Sequence, residues 1–227
     1  MREKLIAPGV VDERSIERVP HSYLRQFTQC HFFAGIGGWS HALRLAGWPD
    51  DEPVWTGSCP CQSFSVAGEG RGFDDPRGKL WRPFYDLIDA RRPPAVFGEQ
   101  VANAIEHNWL DVVSHDLGKI GYEFGAAVFP AFYVGAPHKR QRLYFVADAD
   151  GGRQRAAGRL HGHGEVGGFW SDCEWVCCRD GKRRAAPRSG VVAYGLREGV
   201  DLMRGAGNAI VPQQAAEFIE AFIEARG

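Results

Sequence analysis

The sequence lacks the features that mark three specialised classes of protein. No run approaches about 18 consecutive apolar residues, and the first residues carry no apolar segment of the signal-peptide kind, so neither a membrane partner nor secretion is expected. The 27 basic and 28 acidic residues leave a net charge of −1, which excludes a uniformly basic nucleic-acid binder. The six cysteines lack the close spacing of a disulfide framework, which favours a reducing compartment such as the cytoplasm.

The sequence does contain the composition of an ordinary globular domain. Its 227 residues are 44% apolar and 24% charged, enough to bury one hydrophobic core. We expect residues 1–26 to form a charged surface leader with a short helix near 12–18. Residues 27–147 form the main domain, 148–203 a basic insert, and 204–227 a C-terminal loop and helix that returns to the main domain.

Strand and helix patterns alternate along the main domain. Residues 27–48 have the order strand, glycine-rich turn, helix. Further strands are predicted at 53–57, 95–97, 121–128 and 143–146, and further helices at Trp81–Arg91, 110–120 and 215–225. This alternation predicts a doubly wound α/β sheet with helices on both faces, whose ligand site lies beyond the carboxyl ends of the strands. In the basic insert, Asp180-Gly181 predicts a hairpin with a two-residue type I′ turn.

A glycine-rich segment, FAGIGG at 33–38, follows the first predicted strand. Glycines there let the backbone turn sharply and approach a ligand at a helix N-terminus. The third glycine of a dinucleotide fingerprint would fall on Ser40, so the segment alone fits either a nucleotide-type site or a plain strand-to-helix turn.

A cysteine motif, SCPCQ at 58–62, follows the next strand. A thiol on such a loop could act as a nucleophile, and the alternative is a pair of buried small residues in a turn. No metal site is expected, because C-x-C supplies two ligands and the group Cys173, Cys177 and Cys178 matches no standard spacing.

Three further motifs carry polar side chains. Glu99 comes directly after the predicted strand 95–97, where it could exchange a proton with a ligand or simply cap the next element. In PHKRQR at 137–142, alternation places Arg140 and Arg142 on one face of a strand, where they could grip a phosphate or a base edge, or lie in solvent. A second glycine-rich segment, GNAIVP at 207–212, precedes the last helix.

Taken in order, FAGIGG, PCQ, EQV, PHKRQR and GNAIVP resemble the motif series of the DNA cytosine C5-methyltransferases. The runs GSCPCQSFSVAG and WVCCRDGK look like those of short phage- and prophage-encoded members, and the resemblance spans about 30–215. It implies a Rossmann-like class I methyltransferase domain at 27–147, a reduced DNA-recognition insert at 148–203, S-adenosyl-L-methionine as cofactor, and double-stranded DNA in a bacterial host cytoplasm as substrate. The target base must be flipped out of the duplex.

The resemblance also implies a role for each site residue. Cys61 adds to C6 of cytosine, Glu99 binds the base at N3 and the amino group, Arg142 contacts O2 and Arg140 supports the loop. The Pro60 carbonyl faces the cytosine amino group. The cofactor region comprises Phe33, Ala34, Gly35, Ile36, Gly37, Gly38, Pro60, Asn208 and Ala209. Residues 151–204 hold ten basic and six acidic residues, a net charge of +4 that independently fits phosphate contact.

Three departures from the family pattern are visible. Family members have two more strands before the PCQ loop, and the acids on those strands bind the cofactor ribose and adenine. Here only Asp50, Asp51 and Glu52 remain as stand-ins, so the sheet should lack strands on one side. The family's ENV is EQV, and the recognition region is short, which favours relaxed specificity or a very short target.

These departures leave several hypotheses about function open. We expect a working, monomeric enzyme, with a partner chain that completes the cofactor site as an alternative. An impaired or split homologue would bind DNA or a partner without methyl transfer, and an RNA cytosine methyltransferase could use the same scaffold. A nicotinamide-dependent enzyme is disfavoured, because the third glycine and the ribose-binding acid are missing.

Overall fold

The computed structural model describes residues 5–60, 80–106, 108–149, 173–177, 183–187 and 209–226. The main sheet contains β1 (Gln29–Phe32), β2 (Val54–Gly57), β3 (Ala95–Val101), β4 (Glu123–Phe129) and β5 (Arg142–Asp148). The α-helices are α1 (Gly38–Leu45), α2 (Trp81–Arg91), α3 (Trp109–Lys119) and α4 (Pro212–Arg226). Single 3-10 turns span Ile16–Arg18, Tyr23–Gln26, Ala102–Ala104 and Ala131–Val134, and β6 (Cys173–Cys177) pairs with β7 (Arg183–Pro187).

The sheet is mixed, with the strand order β1-β2-β3-β5-β4. Strands β1, β2 and β3 run parallel to one another, and β5 is antiparallel to both of its neighbours. The predicted α/β class is confirmed, and α2 has the predicted bounds. Within the described part of the chain β1 pairs only with β2 and so forms an edge, which agrees with the expected loss of strands on that side.

Each face of the sheet carries a hydrophobic cluster. On one face, α2, α3 and the leader pack around an aromatic group that includes Trp81, Trp109 and Phe145. On the other, α1 and α4 pack against each other and cover Phe97 and Tyr144. Helices on both faces explain why the three interior strands, β2, β3 and β5, are buried almost throughout.

Two local expectations need correction. The leader is not confined to the surface, since Ile16 and Leu24 are buried in the first cluster. In the hairpin, Cys177 pairs with Arg183, whereas an unbulged two-residue turn at Asp180-Gly181 would pair Cys177 with Arg184. The hairpin is present but its register is one residue away from the predicted turn. Among the described helices, none is both long and apolar enough to cross a membrane.

Candidate active site

Four of the five motifs reach the same edge of the sheet. The segment after β1, the segment after β2 and the end of β3 meet there because parallel strands share their carboxyl edge. Strand β5 is antiparallel and brings its first residue, Arg142, to the same edge opposite Val101. The topology therefore gathers motifs that are more than a hundred residues apart in the sequence.

Glu99 lies inside β3 and not after it, so the predicted strand 95–97 was too short. The strand continues to Val101 because every residue from Ala95 to Val101 pairs with β5. Within the antiparallel ladder Glu99 is opposite Tyr144. Sequence pattern alone missed this extension, because the partner strand lies more than forty residues further along the chain.

The buried Glu99 carboxylate forms an ion pair with the half-buried Arg142. The Nε atom of Arg142 is 2.8 Å from Oε1 of Glu99, and the two side chains are 21% and 10% exposed. Burial raises the pKa of Glu99, while Arg142, Arg140 and a hydrogen bond with Ser58 act in the opposite direction. Burial has the larger effect, so the pKa of Glu99 lies above its ordinary value. A raised pKa suits a carboxyl that exchanges a proton with a ligand.

Arg140 lies before β5 and outside the strand, which corrects the expectation that Arg140 and Arg142 share a strand face. Its backbone has a φ of 31°, and its guanidinium NH2 group donates a 2.6 Å hydrogen bond to the Ala209 carbonyl. Burial lowers the pKa of Arg140, with Arg142 as the next contribution. Arg140 therefore joins the PHKRQR segment to the second glycine-rich segment, near the predicted cofactor residue Ala209.

The segment after β1 has an unusual backbone. Phe33, Gly35 and Gly37 have φ values of 54°, 57° and 84°, in the left-handed region. Glycine adopts this region without penalty, but Phe33 is strained there, and such strain clusters at functional sites. A Cβ at Gly38 would lie 2.9 Å from Cγ1 of Ile210, so α1 begins in direct contact with the second glycine-rich segment.

Gln100 fixes the end of β3 to the cysteine motif. Its Nε2 donates to the Cys59 carbonyl at 3.3 Å, and its Oε1 accepts from the Val101 N–H at 3.0 Å. The glutamine of EQV therefore orients the backbone that leads into Pro60, which is half-buried at the end of the described segment. Its amide is long enough to span from β3 to the loop after β2.

Two site residues were not found from the sequence. Trp39 in α1 donates from Nε1 to the Ser58 Oγ at 3.0 Å, and Ser58 also hydrogen-bonds Glu99. The available signal was Trp39 itself, since a buried indole N–H is a donor that needs an acceptor nearby.

The acidic stand-ins lie at the wrong end of the sheet. Residues 50–52 precede β2, whereas the glycine-rich segment and Ser58 follow their strands. Asp50 pairs with Arg44, and Glu52 pairs with Arg226 at 3.1 Å. The expectation that Asp50, Asp51 and Glu52 replace the missing cofactor acids is therefore wrong, because the length of β2 separates them from the site.

Several predicted residues lie outside the described part of the chain. These are the nucleophile Cys61, the cofactor residue Asn208 and most of the insert at 148–203. Of the other predicted cofactor residues, Phe33, Ala34, Gly35, Ile36, Gly37 and Gly38 form the segment between β1 and α1. The geometry thus brings together Glu99, Arg140, Arg142, Pro60 and Ala209 around one edge.

Residues 48–154 match the family model for the C-5 cytosine-specific DNA methylase. The resemblance to the cytosine C5-methylases is confirmed. The match contains the cysteine motif, Glu99 and both arginines, and its boundaries enclose β2, β3, β4 and β5. The C5-methylase segment therefore supplies four of the five strands of the main sheet.

Curated methyltransferases match a stretch of similar length. Type II methyltransferase M.HhaI of Haemophilus parahaemolyticus is 35% identical over 99 residues, which cover 42% of this chain and 30% of that protein. The orphan methyltransferase M.SPRI of Bacillus phage SPR is 33% identical over 93 residues, covering 40% and 21%. The matched stretches span less than a third of the length of these two relatives.

The fold itself is shared more widely. A solved methyltransferase of Entamoeba histolytica superposes with a TM-score of 0.65 at 13% identity, covering 88% of this chain and 99% of that one. This likeness supports the Rossmann-like α/β fold of the chain.

Proposed function

We propose that this chain transfers a methyl group from S-adenosyl-L-methionine to C5 of cytosine in double-stranded DNA. The observation that carries the proposal is the ion pair between the buried Glu99 and the half-buried Arg142, at the same sheet edge as the start of the cysteine motif. A carboxyl there can bind the polar edge of a flipped base, and buried charge of both signs favours the charge that develops on attack.

In the proposed reaction the thiolate of Cys61 forms a bond to C6 of cytosine. The electron pair of the C5–C6 double bond moves toward C5 and N3, where a protonated Glu99 donates a hydrogen bond. Arg142 contacts O2 and holds Glu99 in place. When bound, S-adenosyl-L-methionine would supply the methyl group for C5, with loss of its S–CH3 bond and release of S-adenosyl-L-homocysteine. A base then removes the C5 proton, the double bond re-forms, and Cys61 leaves as a thiolate.

The segment between β1 and α1 fits the amino-acid end of this cofactor. A Cβ at Gly35 would meet no atom of the described residues within 4 Å, so the backbone there is open to a ligand on that side. The first turn of α1 and Ala209 would flank that ligand, and the N–H groups at the start of α1 favour a carboxylate. The acidic side chains expected to bind the cofactor ribose are not near this segment, because residues 50–52 lie at the opposite edge of the sheet. We therefore expect weak cofactor binding unless a partner chain completes the ribose side.

Duplex DNA would be bound by the basic insert at 148–203. Residues 151–204 hold ten basic and six acidic residues, and this surplus of positive charge fits contact with phosphates, which position a protein without reading sequence. The chain would act as a monomer in a bacterial cytoplasm, on a very short or relaxed target.

Bisulfite sequencing of DNA from an expressing host tests this proposal. We expect new methylcytosine with the wild type and none with Cys61→Ser, which should still bind DNA. Cys30→Ala is the matched control, because Cys30 is a buried thiol within β1 that belongs to the hydrophobic core. Absence of methylcytosine with well-folded wild type contradicts the proposal.

The position of residues 50–52 favours a second candidate, an impaired or split homologue that binds DNA without methyl transfer. Calorimetric titration with S-adenosyl-L-methionine separates the two, since tight binding by the isolated chain contradicts the second candidate. Tritium transfer to duplex DNA and to tRNA, compared side by side, distinguishes DNA from RNA as substrate.

A further inference from the structure

Two buried side chains, Trp39 and Glu99, and the half-buried Ser58 between them form a hydrogen-bonded row beside the site. Trp39 lies in α1, Ser58 follows β2, and Glu99 lies in β3. The indole Nε1 of Trp39 is 3.0 Å from the Ser58 Oγ, and Ser58 hydrogen-bonds the Glu99 carboxyl. Trp39 is 1% exposed and Glu99 is 8% exposed, so each needs a hydrogen-bond partner within the protein, and the half-buried Ser58 provides one for both.

The row has a fixed direction. An indole N–H can only donate, so the Ser58 oxygen accepts from Trp39. The single hydroxyl hydrogen of Ser58 then points to its other partner, the oxygen of Glu99. The direction Trp39 to Ser58 to Glu99 leaves Glu99 as the acceptor of this bond, with Arg142 donating to Oε1.

We propose that Ser58 is a positioning residue for the Glu99 carboxyl and that Trp39 orients Ser58 for this role. The start of α1, which contacts Ile210 through Gly38, and the base-binding acid thereby form one hydrogen-bonded unit. The functional meaning of this unit rests on the proposed methyl transfer, whereas the bonding itself does not.

Other groups also face Glu99. Arg142 and Arg140 approach from β5 and the residues before it, and the Tyr144 hydroxyl lies across the ladder, where Glu99 raises its pKa after burial. Burial raises the pKa of Glu99, and Ser58 is one of three groups that lower it. Removing the Ser58 hydroxyl while the arginines remain should therefore raise the pKa of Glu99.

The test is a pH titration of the glutamate side-chain carboxyls by 13C NMR. The Glu99 signal is assigned as the one lost in Glu99→Gln. We expect Ser58→Ala to raise the pKa of Glu99 by about one pH unit, as for a lost hydrogen bond to a charged group. Trp39→Phe should give a smaller rise, because the ring remains but the hydroxyl is no longer oriented.

Two variants keep the test decisive. Ser58→Thr retains the hydroxyl and should titrate like the wild type. Ser40→Ala removes a hydroxyl from α1 that accepts from the Ala7 N–H, and should leave Glu99 unchanged. An unchanged Glu99 pKa in folded Ser58→Ala overturns the proposal, as does an equal rise in Ser40→Ala.

Activity provides a separate measurement. If the wild type methylates DNA, Ser58→Ala should lower kcat roughly tenfold with a smaller change in KM, and Ser58→Thr should restore it. A raised Glu99 pKa without any wild-type methylation overturns the proposed function alone. Wild-type methylation without a change in the Glu99 pKa overturns the positioning role alone.

Discussion

The ring of Phe145 lies directly against Gly98, and a Cβ at Gly98 would be 2.0 Å from ring atom Cε1. The ring cannot move aside easily, because Trp109 and Phe124 contact it with centroid distances of 5.9 and 5.5 Å. Gly98 directly precedes Glu99, so a core contact on one face of the sheet sets the backbone position of the acid on the other.

Gly98→Ala should destabilise the fold by about 3 kcal/mol, since an overpacked core forces side chains and backbone to shift. Gly125→Ala is the matched control in β4, because a Cβ there would lie 3.5 Å from Cγ1 of Val146, an ordinary contact. Urea unfolding of both variants measures the effect, and equal stabilities would contradict this account of the packing.

Gln100→Met should destabilise the chain by about 1–3 kcal/mol, because it leaves the Cys59 carbonyl and the Val101 N–H without their present partner. Methionine has a similar length and cannot replace either hydrogen bond. Gln26→Met, at an exposed site, should change the unfolding free energy by less than about 0.5 kcal/mol. If Gln100→Met changes the free energy of unfolding as little as the control does, then the glutamine of EQV does not fix the end of β3.

Because of His31, the protein should lose stability in acid. Burial lowers the pKa of His31 to about 4 from 6.5, beside a 2.9 Å contact of its Nδ1 with Thr56 Oγ1. Between these two values the unfolded chain binds more protons than the folded chain, so stability falls as the pH drops from about 6.5 toward 4. His31→Asn should flatten this part of the stability profile in urea unfolding, and parallel profiles for the two proteins would refute the assignment.

Arg142→Met should lower methyl transfer by about a hundredfold or more, because it removes the cation nearest to the Glu99 carboxylate. It should also raise the pKa of Glu99 further. Arg82→Met is the control, since Arg82 pairs with Asp86 at an exposed position in α2. The rates of the variants are compared by single-turnover transfer of a tritiated methyl group. A rate near that of the wild type in Arg142→Met would show that the Glu99–Arg142 ion pair is not needed for catalysis.

Local patterns predicted the elements that depend on local physics. The apolar spacing of Trp81–Arg91, followed by Pro93-Pro94, gave a helix with the observed bounds. The full length of β3 depends instead on a distant antiparallel partner, and so does the place of Glu99 within it. The strand alternation assigned to Arg140 failed because the tertiary contact with Ala209 holds that residue outside β5.

Proximity in sequence was equally misleading for the acids at 50–52. They lie close to the glycine-rich segment along the chain, yet a parallel strand must begin at the opposite edge before it reaches the site. The position of Trp39 beside Ser58 was likewise invisible, because it depends on how α1 packs over the sheet.

Strand β5 lies between β3 and β4 although it follows both in the sequence. During synthesis on the ribosome, the pairing edge of β3 therefore stays open until residue 148 has emerged. The aromatic face around Phe97 and Tyr144 stays partly uncovered for longer, until α4 joins α1 on it. A nascent chain with an open strand edge and an uncovered aromatic face is prone to aggregation. The yield of this protein in a cell should therefore depend on chaperones that shield these two surfaces before the last helix forms.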